Sequence, residues 1–160
     1  MPLIKTIGYV RHDLQSLHYW CEHQSGMKPM SSSQVAFGRT HKWFGYEVIL
    51  KPKPKISQGY CDERVNRLGN RILPGYNCAL LCHYYPGGHM TRHCDHSVFE
   101  PLLVSVNIGR ATLCIGNQEH QLEDGQVISF NSQIPHELRP VESDRWSLMF
   151  RRIKLKYLPF

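Results

Sequence analysis

The chain has 160 residues, of which 41% are hydrophobic and 20% are charged, and this excludes the compositions of disordered and collagen-like chains. A formal net charge of +6 favours an anionic partner such as nucleic acid. No stretch approaches the roughly 20 apolar residues that a membrane helix needs, and no apolar secretory segment follows Met1. We therefore expect one domain over residues 1–160, monomeric, in the cytoplasm (or the nucleus of a eukaryote) and not secreted, with six reduced cysteines.

The amino-terminal part of the chain shows helical spacing first. Leu14, Leu17 and Cys21 lie at intervals that predict an amphipathic helix over residues 11–24. The further elements expected before residue 76 are a serine loop at 31–33, an aromatic strand-like stretch at 35–50, a basic connector at 51–55 and a short helix at 61–70. Helices therefore dominate the expected structure of residues 1–75.

From residue 76 onward the pattern changes to short strands separated by turn residues. Predicted strands span residues 77–84, 90–95, 102–108, 111–116, 126–130, 135–139 and 145–153. Closely spaced strands of this kind are typical of a β-sandwich or jelly roll. The predicted fold class is mainly β (α+β), with amino-terminal helices packed on a β-core.

A His-x-Asp pair, His93 and Asp95, lies at the end of one predicted strand. Residues two apart in a strand point to the same face, so both side chains can contact one ion. His136, after a distant strand, would complete a two-histidine, one-carboxylate triad typical of non-haem Fe(II) oxygenases. The spacing alone also fits a polar residue at a sheet edge and a histidine in a turn.

The last predicted strand alternates strictly between two faces. Trp146, Leu148 and Phe150 share the apolar face, and Arg145 and Arg151 share the other. The planar guanidinium group matches carboxylate geometry, so this pair suits a ligand with an acid group at each end. The alternative is a surface strand with solvated arginines.

A zinc-binding nucleic-acid module is a competing interpretation. It would use the spacing C-x3-C-x6-H-x3-H formed by Cys78, Cys82, His89 and His93. The central interval is short beside the roughly 12 residues of a zinc finger. A cupin-like metal protein without a co-substrate is a further alternative, which Arg145 and Arg151 argue against.

Several linked segments of the carboxy-terminal half resemble one enzyme family in order and interval. They are the aromatic-Asn start at 76–77 leading to Tyr84, the Tyr-Tyr-Pro-Gly-Gly run at 84–88, His93-Cys94-Asp95, the Pro-Leu-Leu-Val-Ser-Val-Asn-Ile-Gly strand at 101–109, the Leu-Glu-Asp-Gly-Gln-Val turn at 122–127, and Arg-x5-Arg at 145–151. These segments are similar to those of the AlkB family of Fe(II)/2-oxoglutarate-dependent dioxygenases. The resemblance covers residues 76–153.

The resemblance implies a double-stranded β-helix over residues 76–153 and a substrate lid within residues 1–75. It implies three cofactors or co-substrates, namely Fe(II), 2-oxoglutarate and O2, with iron bound by His93, Asp95 and His136. Tyr84 and Arg145 would hold the distal carboxylate of 2-oxoglutarate, and Arg151 would lie near its other end. Leu80, Met90 and Ser147 would line the same pocket, with core packing as the alternative.

The implied activity is oxidative demethylation of N-alkylated nucleobases in DNA or RNA, as in DNA repair. Aromatic residues that would stack on a flipped base are Phe37, Trp43 and Tyr46, although core packing is the alternative for Trp43 and Tyr46. His96 would contact substrate, and phosphate contacts would come from Arg39, Lys42, Lys51, Lys53 and Lys55. The family's asparagine is replaced by Cys82. Another possible role is a hydroxylase of the same fold that acts on a protein or a different base modification.

Overall fold

The chain is built around one long bent strand that pairs with three others. The computed structural model describes residues 1–30 and 34–159, so the serine loop predicted at 31–33 lies outside the described residues. The strands are β1 (Ile4–Tyr9), β2 (Lys28–Pro29), β3 (Ala36–Ile49), β4 (Lys55–Gln58), β5 (Cys78–His93), β6 (Leu102–Ile108), β7 (Ala111–Ile115), β8 (Gln118–Leu122), β9 (Gln126–Asn131), β10 (His136–Leu138) and β11 (Arg145–Arg151). The helices are α1 (Leu14–Glu22) and α2 (Glu63–Ile72), followed near the end by a 3-10 turn at Leu155–Tyr157.

The strands form one antiparallel sheet that curls into a nearly closed barrel. Its order is β1-β9-β6-β11-β5-β10-β7-β8, and β3 joins β5 while also pairing with β2 and β4. The long β5 has β11 on one edge of its first half and β3 on the other, and its end pairs with β10. This arrangement confirms the predicted mainly β jelly roll.

Alternation along β5 separates two hydrophobic layers. Ala79 and Leu81 point to the layer that contains the helices, while Leu80 and Tyr84 point into the barrel. The helices contribute side chains such as Leu17 and Val65 to the outer layer. Each such buried aliphatic side chain stabilises the fold by about 1.5–3 kcal/mol. The helices therefore cover the outside of the sheet, and the barrel interior remains available for a site.

The start of α2 is set by a cap and its packing by a glycine. The Asp62 carboxylate accepts a hydrogen bond from the Val65 backbone N–H at 3.1 Å, which satisfies one free donor of the first turn. Gly69 lies against the rings of Tyr76 and Phe150, where a Cβ atom would collide with both. This close approach brings α2 flat against the sheet.

The predicted strands at 77–84 and 90–95 are a single strand in the structure. The Pro-Gly-Gly run at 86–88 predicts a turn, yet the chain continues to pair with β3 through a bulge between Phe37 and Arg39. Gly38 has a positive φ of 62°, and a Cβ there would lie 2.9 Å from the Cα of Gly88. Two glycines in contact thus allow the strand to bend without ending.

The first 75 residues contain more strand than the sequence predicts. Both helices are confirmed, but β1 pairs with β9, and β3 is a full member of the sheet beside β5. The polar β8 was also not predicted, because its burial is limited to its last residue, Leu122. Within the part of the chain that the structure describes, neither helix is long and apolar enough to cross a bilayer.

Candidate metal centre and adjoining cavity

Three predicted ligands converge where β5 ends and β10 begins. His93 and His136 lie directly opposite each other in the antiparallel pair, and Asp95 follows His93 by two residues. The Nε2 atoms of both histidines lie 3.2 Å from Oδ1 of Asp95. One ligand atom from each residue falls within 4.8 Å of the other two, so the group is compact enough to bind one ion.

Backbone carbonyls orient both histidine rings. Nδ1 of His93 bonds to the Thr91 carbonyl at 2.7 Å, and Nδ1 of His136 bonds to the Ile134 carbonyl at 2.8 Å. A carbonyl oxygen can only accept, so Nδ1 carries the proton in each ring. Nε2 of each ring is therefore the atom that faces Asp95 and that would bind a metal ion, which is the arrangement that outer-shell hydrogen bonds impose on metal-binding histidines.

The third ligand is kept charged by its neighbours. Burial disfavours the Asp95 carboxylate, but hydrogen bonds from His136 and His93, together with the Arg151 charge, outweigh burial and hold the pKa of Asp95 well below its usual range. Arg151 donates from Nη2 to Oδ2, the oxygen that faces away from the histidines. Oδ1 thus remains the ligand atom, and Arg151 positions it.

This donor set fits a divalent transition-metal ion. Two imidazoles and one carboxylate on one side leave the remaining coordination positions open, as in non-haem Fe(II) sites. His136 is 2% exposed and its ring packs 5.3 Å from that of Phe130, so the centre lies at the barrel interior. The residues present therefore match the ion that the sequence implied.

The zinc-finger interpretation is wrong. His93, Asp95 and His136 are the one group of potential metal ligands found in residues 1–30 and 34–159. Cys78 is fully buried in the core, whereas His89 stacks on Phe37 with ring centroids 5.1 Å apart. Because Cys78 and His89 lie in different surroundings, the four residues of that motif do not converge.

A cavity of about 940 Å³ opens from the metal centre into the barrel. All six residues predicted to hold the co-substrate line it, namely Leu80, Tyr84, Met90, Arg145, Ser147 and Arg151. Antiparallel pairing places Arg145 opposite Tyr84 and Met149 opposite Leu80. The structure thus brings the predicted iron ligands and the predicted co-substrate residues together in one cavity.

Arg145 is held in place by a residue that the sequence analysis missed. Its Nε donates to Oδ1 of Asn107 at 2.8 Å, and its guanidinium carbon lies 5.2 Å from the centroid of the Tyr84 ring. The Asn107 amide in turn donates to the carbonyls of Gly109 and Glu123. Asn107 is fully buried on β6, so a polar residue in an otherwise apolar strand was the available signal.

Arg39 is a second missed cavity residue, and its predicted role as an exposed phosphate contact is wrong. It is 8% exposed and lines the cavity, where its Nη1 donates to the Tyr84 hydroxyl at 3.1 Å. Arg39, His41 and Trp43 alternate along β3 and all line the cavity. Strand periodicity counted back from Trp43 could therefore have found Arg39.

The predicted substrate residues divide into two groups. Trp43 and His96 line the cavity. Phe37 is 42% exposed outside the cavity lining, and Tyr46 packs against the small core cluster that contains Val48. Phe37 and Tyr46 are therefore not brought to the site.

The lysines that were predicted to contact phosphate lie in different surroundings. Lys42 is buried and donates to the Gln24 side chain at 3.0 Å, so it is not a surface cation. Lys51 lines the cavity, and so does Lys28, which was not predicted. Lys53 and Lys55 are exposed beyond it.

Cys82 is fully buried and lies opposite Ser147, with which it shares a side-chain hydrogen bond. Burial raises the pKa of the Cys82 thiol, so this side chain is neutral in the folded protein. Ser147 is also opposite Asn107 on its other side. The Asn107 amide thus lies in the same cross-strand row as Cys82, two strands away from it. Cys82 itself occupies the position that the family's asparagine would take.

No protein-family model matches the sequence, and no curated protein matches it either. Solved structures do match. OsALKBH1 aligns over 95% of this chain and 99% of its own, with a TM-score of 0.68 and 15% identity. A Pseudomonas putida prolyl-4-hydroxylase aligns over 94% and 91%, with a TM-score of 0.62 and 18% identity.

A prolyl hydroxylase from Trichoplax adhaerens, solved in complex with a peptide fragment of the oxygen degradation domain of hypoxia inducible factor, is also similar. It covers 97% of this chain and 85% of its own, with a TM-score of 0.61 and 14% identity. At these identities the likeness shows the fold. The chain has a jelly-roll fold similar to that of these three proteins.

Proposed function

We propose that the protein is an Fe(II)- and 2-oxoglutarate-dependent dioxygenase. The observation that supports this best is that the His93–Asp95–His136 group and Arg145 line the same cavity. A metal centre and a separate buried cation in one cavity suit a ligand that chelates the metal at one end and carries an acid at the other.

The proposed roles follow from these positions. His93, Asp95 and His136 would hold Fe(II), which when bound with 2-oxoglutarate and O2 supplies the oxidising chemistry. Arg145 and the Tyr84 hydroxyl would bind the distal carboxylate, and Arg151 would orient Asp95 and the near end of the co-substrate. Leu80, Met90 and Ser147 would complete the walls, which exclude water from the reacting atoms.

For the substrate we propose an N-alkylated nucleobase in DNA or RNA. The net charge is +6, and two lysines, Lys28 and Lys51, line the cavity together with one glutamate, Glu47. Cations of this kind attract a phosphate backbone. Trp43 and His41 supply flat rings on the cavity wall against which a base can stack. The similarity to OsALKBH1 and the AlkB-like segments of the sequence support the same substrate class.

Protein hydroxylation is the second candidate activity. It is supported by the two prolyl hydroxylases of similar fold, one of them solved with a bound peptide. The same metal centre and co-substrate site would serve both reactions. The two candidate activities differ in the substrate that enters the cavity, which is a nucleobase in one case and a peptide in the other.

Succinate production tests the proposal and separates the two substrates. Protein loaded anaerobically with Fe(II) is exposed to O2 and 2-oxoglutarate alone, with oligonucleotides carrying 1-methyladenine or 3-methylcytosine, or with proline-containing peptides. We expect succinate that rises with the methylated oligonucleotides, together with loss of the methyl group. His93→Ala serves as the inactive variant, and exposed His12→Gln as the matched control.

Stimulation by peptide and not by oligonucleotide would retain the oxygenase and replace the substrate. No succinate under any condition, in protein that binds iron, would overturn the proposal.

We also propose that the protein is a monomer of a reducing compartment, the cytoplasm or the nucleus. All six cysteines are free thiols in the structure, including the exposed Cys61 and Cys94. Free exposed thiols are typical of compartments that keep cysteine reduced. Size-exclusion chromatography in the presence of reductant tests the monomer, since elution at the volume of a dimer would contradict it.

A further inference from the structure

Two buried arginines face one tyrosine inside the cavity. Tyr84 on β5 lies opposite Arg39 of β3 on one side and opposite Arg145 of β11 on the other. The guanidinium carbons are 5.6 Å and 5.2 Å from the centroid of its ring. All three side chains are buried, and all three line the cavity. Two positive charges therefore lie close together in a place shielded from bulk water.

Neither arginine has an anionic partner among residues 1–30 and 34–159. Arg39 donates to the Tyr84 hydroxyl at 3.1 Å and to the sulfur atoms of Met90 at 3.5 Å and Met30 at 2.8 Å, and its Nε has no partner. Arg145 uses its Nε to bind the neutral Asn107 amide. Thioether sulfur is a weak acceptor, so these contacts compensate the charges poorly.

The carboxylate that acts on the charge of Arg39 is already engaged. Asp95 attracts the charge of Arg39, but its oxygens are contacted by His93, His136 and Arg151. Burial lowers the pKa of Arg145, and the positive charge of Arg39 acts in the same direction. A buried charge without a counter-ion is costly, so both groups would be stabilised by an anion that enters the cavity.

The Tyr84 hydroxyl completes the arrangement. Because its oxygen accepts the hydrogen bond from Arg39, its own hydrogen is available to another acceptor. In the described part of the chain no acceptor takes that hydrogen. Two guanidinium groups and one hydroxyl hydrogen are a matching set of donors for the lone pairs of one carboxylate.

We propose that Arg39 is a further co-substrate-binding residue, which together with Arg145 and Tyr84 binds the distal carboxylate of 2-oxoglutarate. This inference rests on the proposed function and deepens it. Arg39 lies outside the segment that resembles the AlkB family, so the family motifs do not assign it. It makes β3, from the first 75 residues, part of the co-substrate site.

The test compares two 2-oxo acids that differ at one end. Isothermal titration calorimetry on Mn(II)-loaded protein measures the binding of 2-oxoglutarate and of 2-oxopentanoate, in which a methyl group replaces the distal carboxylate. In Arg39→Met we expect the affinity for 2-oxoglutarate to fall by about tenfold to a hundredfold, because charge-assisted hydrogen bonds are lost. The weaker affinity for 2-oxopentanoate should not change.

Arg139→Gln is the matched control, because the Arg139 side chain is 54% exposed and pairs with Glu119 at the surface.

A purely structural role of Arg39 would give a different result in a measurement of thermal stability. If Arg39 served only to hold β3 against β5, Arg39→Met would lower the Tm of ligand-free protein. We expect that Tm to stay equal or rise, since an uncompensated buried charge is replaced by an apolar side chain of similar length. The Tm increase caused by 2-oxoglutarate should shrink.

The possible results distinguish a failure of the inference about Arg39 from a failure of the proposed function. Wild-type protein that binds 2-oxoglutarate while Arg39→Met binds it equally well would overturn the inference alone. Equal losses for both 2-oxo acids would also overturn it, because the effect would not depend on the distal carboxylate. Wild-type protein that binds no 2-oxoglutarate would overturn the proposed function and the inference with it. If Arg39→Met fails to fold, Arg39→Gln carries the same comparison.

Discussion

The Asn107 amide oxygen accepts a hydrogen bond from Nε of Arg145 at 2.8 Å, and this is the hydrogen bond that fixes the direction of the arginine side chain. The two residues lie on neighbouring strands, β6 and β11, with Asn107 fully buried. The same amide also donates to the carbonyls of Gly109 and Glu123. One side chain thus links the turn after β6 to the orientation of the arginine in the cavity.

Replacing Asn107 by Ala should weaken co-substrate binding and the fold together. Loss of three hydrogen bonds, with the buried Nε of Arg145 left without this partner, should lower the free energy of unfolding by about 2–4 kcal/mol. Urea denaturation measures this loss, and calorimetry should show weaker 2-oxoglutarate binding in the folded variant. Exposed Gln121→Ala is the control. Unchanged 2-oxoglutarate affinity in folded Asn107→Ala would show that Arg145 does not need this contact.

Replacing Arg145 by Ala should abolish 2-oxoglutarate binding while leaving metal binding intact. The guanidinium is the cation that the proposal assigns to the distal carboxylate, whereas the metal ligands lie on β10, at the end of β5 and just after it. Calorimetric titrations of metal and then of 2-oxoglutarate measure the two steps separately. The control is Arg152→Ala, because Arg152 is outside the cavity lining and donates to the Pro74 carbonyl. A variant with normal co-substrate affinity would remove Arg145 from the site.

The β-core and the His93–Asp95 pair were predictable because they depend on local rules, whereas His136 was assigned through the resemblance to the AlkB family. Period two places His93 and Asp95 on one face and Arg145 and Arg151 on another, and the structure brings all four to one cavity. Arg39 and Asn107 were not assigned to the co-substrate site, since the contacts that they make there depend on which strands become neighbours. The pairing of β3 with β5 is a long-range contact that no local pattern encodes.

The aromatic residues also show that a local sequence pattern does not predict which side chains reach the cavity. Trp43 and Phe37 have equally suitable side chains for stacking, but the bulge beside Gly38 separates their surroundings. Trp43 lines the cavity, whereas Phe37 is exposed against His89. A register shift in a strand decides which face a residue takes, and the shift itself depends on the contact between Gly38 and Gly88.

Removing different metal ligands should have the same effect on metal binding and different effects on stability. His93→Ala and Asp95→Ala should both fail to bind Fe(II) or Mn(II), as measured by calorimetry and elemental analysis. Asp95 also pairs with Arg151, which is 7% exposed and has a buried Nε without a partner. Loss of the carboxylate should therefore lower the free energy of unfolding of metal-free protein by about 3–5 kcal/mol.

The histidine should be far less important for the metal-free fold. His93→Ala loses the hydrogen bond to the Thr91 carbonyl and should cost about 1 kcal/mol. Urea denaturation in a chelator compares the two variants, and the double variant Asp95→Ala, Arg151→Met should recover part of the loss. Equal stability of His93→Ala and Asp95→Ala would contradict the importance of the Arg151 pair.

Two of the six thiols should react in the folded protein. Cys61 and Cys94 are exposed, and the buried thiols are Cys21, Cys78, Cys82 and Cys114. Burial raises the pKa of Cys21 and of Cys78 to about 12, so their reactive thiolate forms are scarce at pH 8. A disulfide reagent should label two thiols quickly and all six after denaturation. Cys61→Ser should remove one fast equivalent, and rapid labelling of four or more would contradict the buried positions.

The same two buried thiols should make the fold less stable in alkali. Their pKa is about 12 in the folded chain against an ordinary value of 9.0, so between these values the unfolded chain releases protons that the folded chain keeps. Their stabilising contribution is therefore complete below pH 9 and is lost as the pH rises toward 12. Urea denaturation at pH 8 and pH 10.5 measures this effect. The double variant Cys21→Ala, Cys78→Ala should start from a lower stability yet lose less of it over that interval, because it has no such protons to release. An equal loss in both proteins would assign the alkaline sensitivity to other groups.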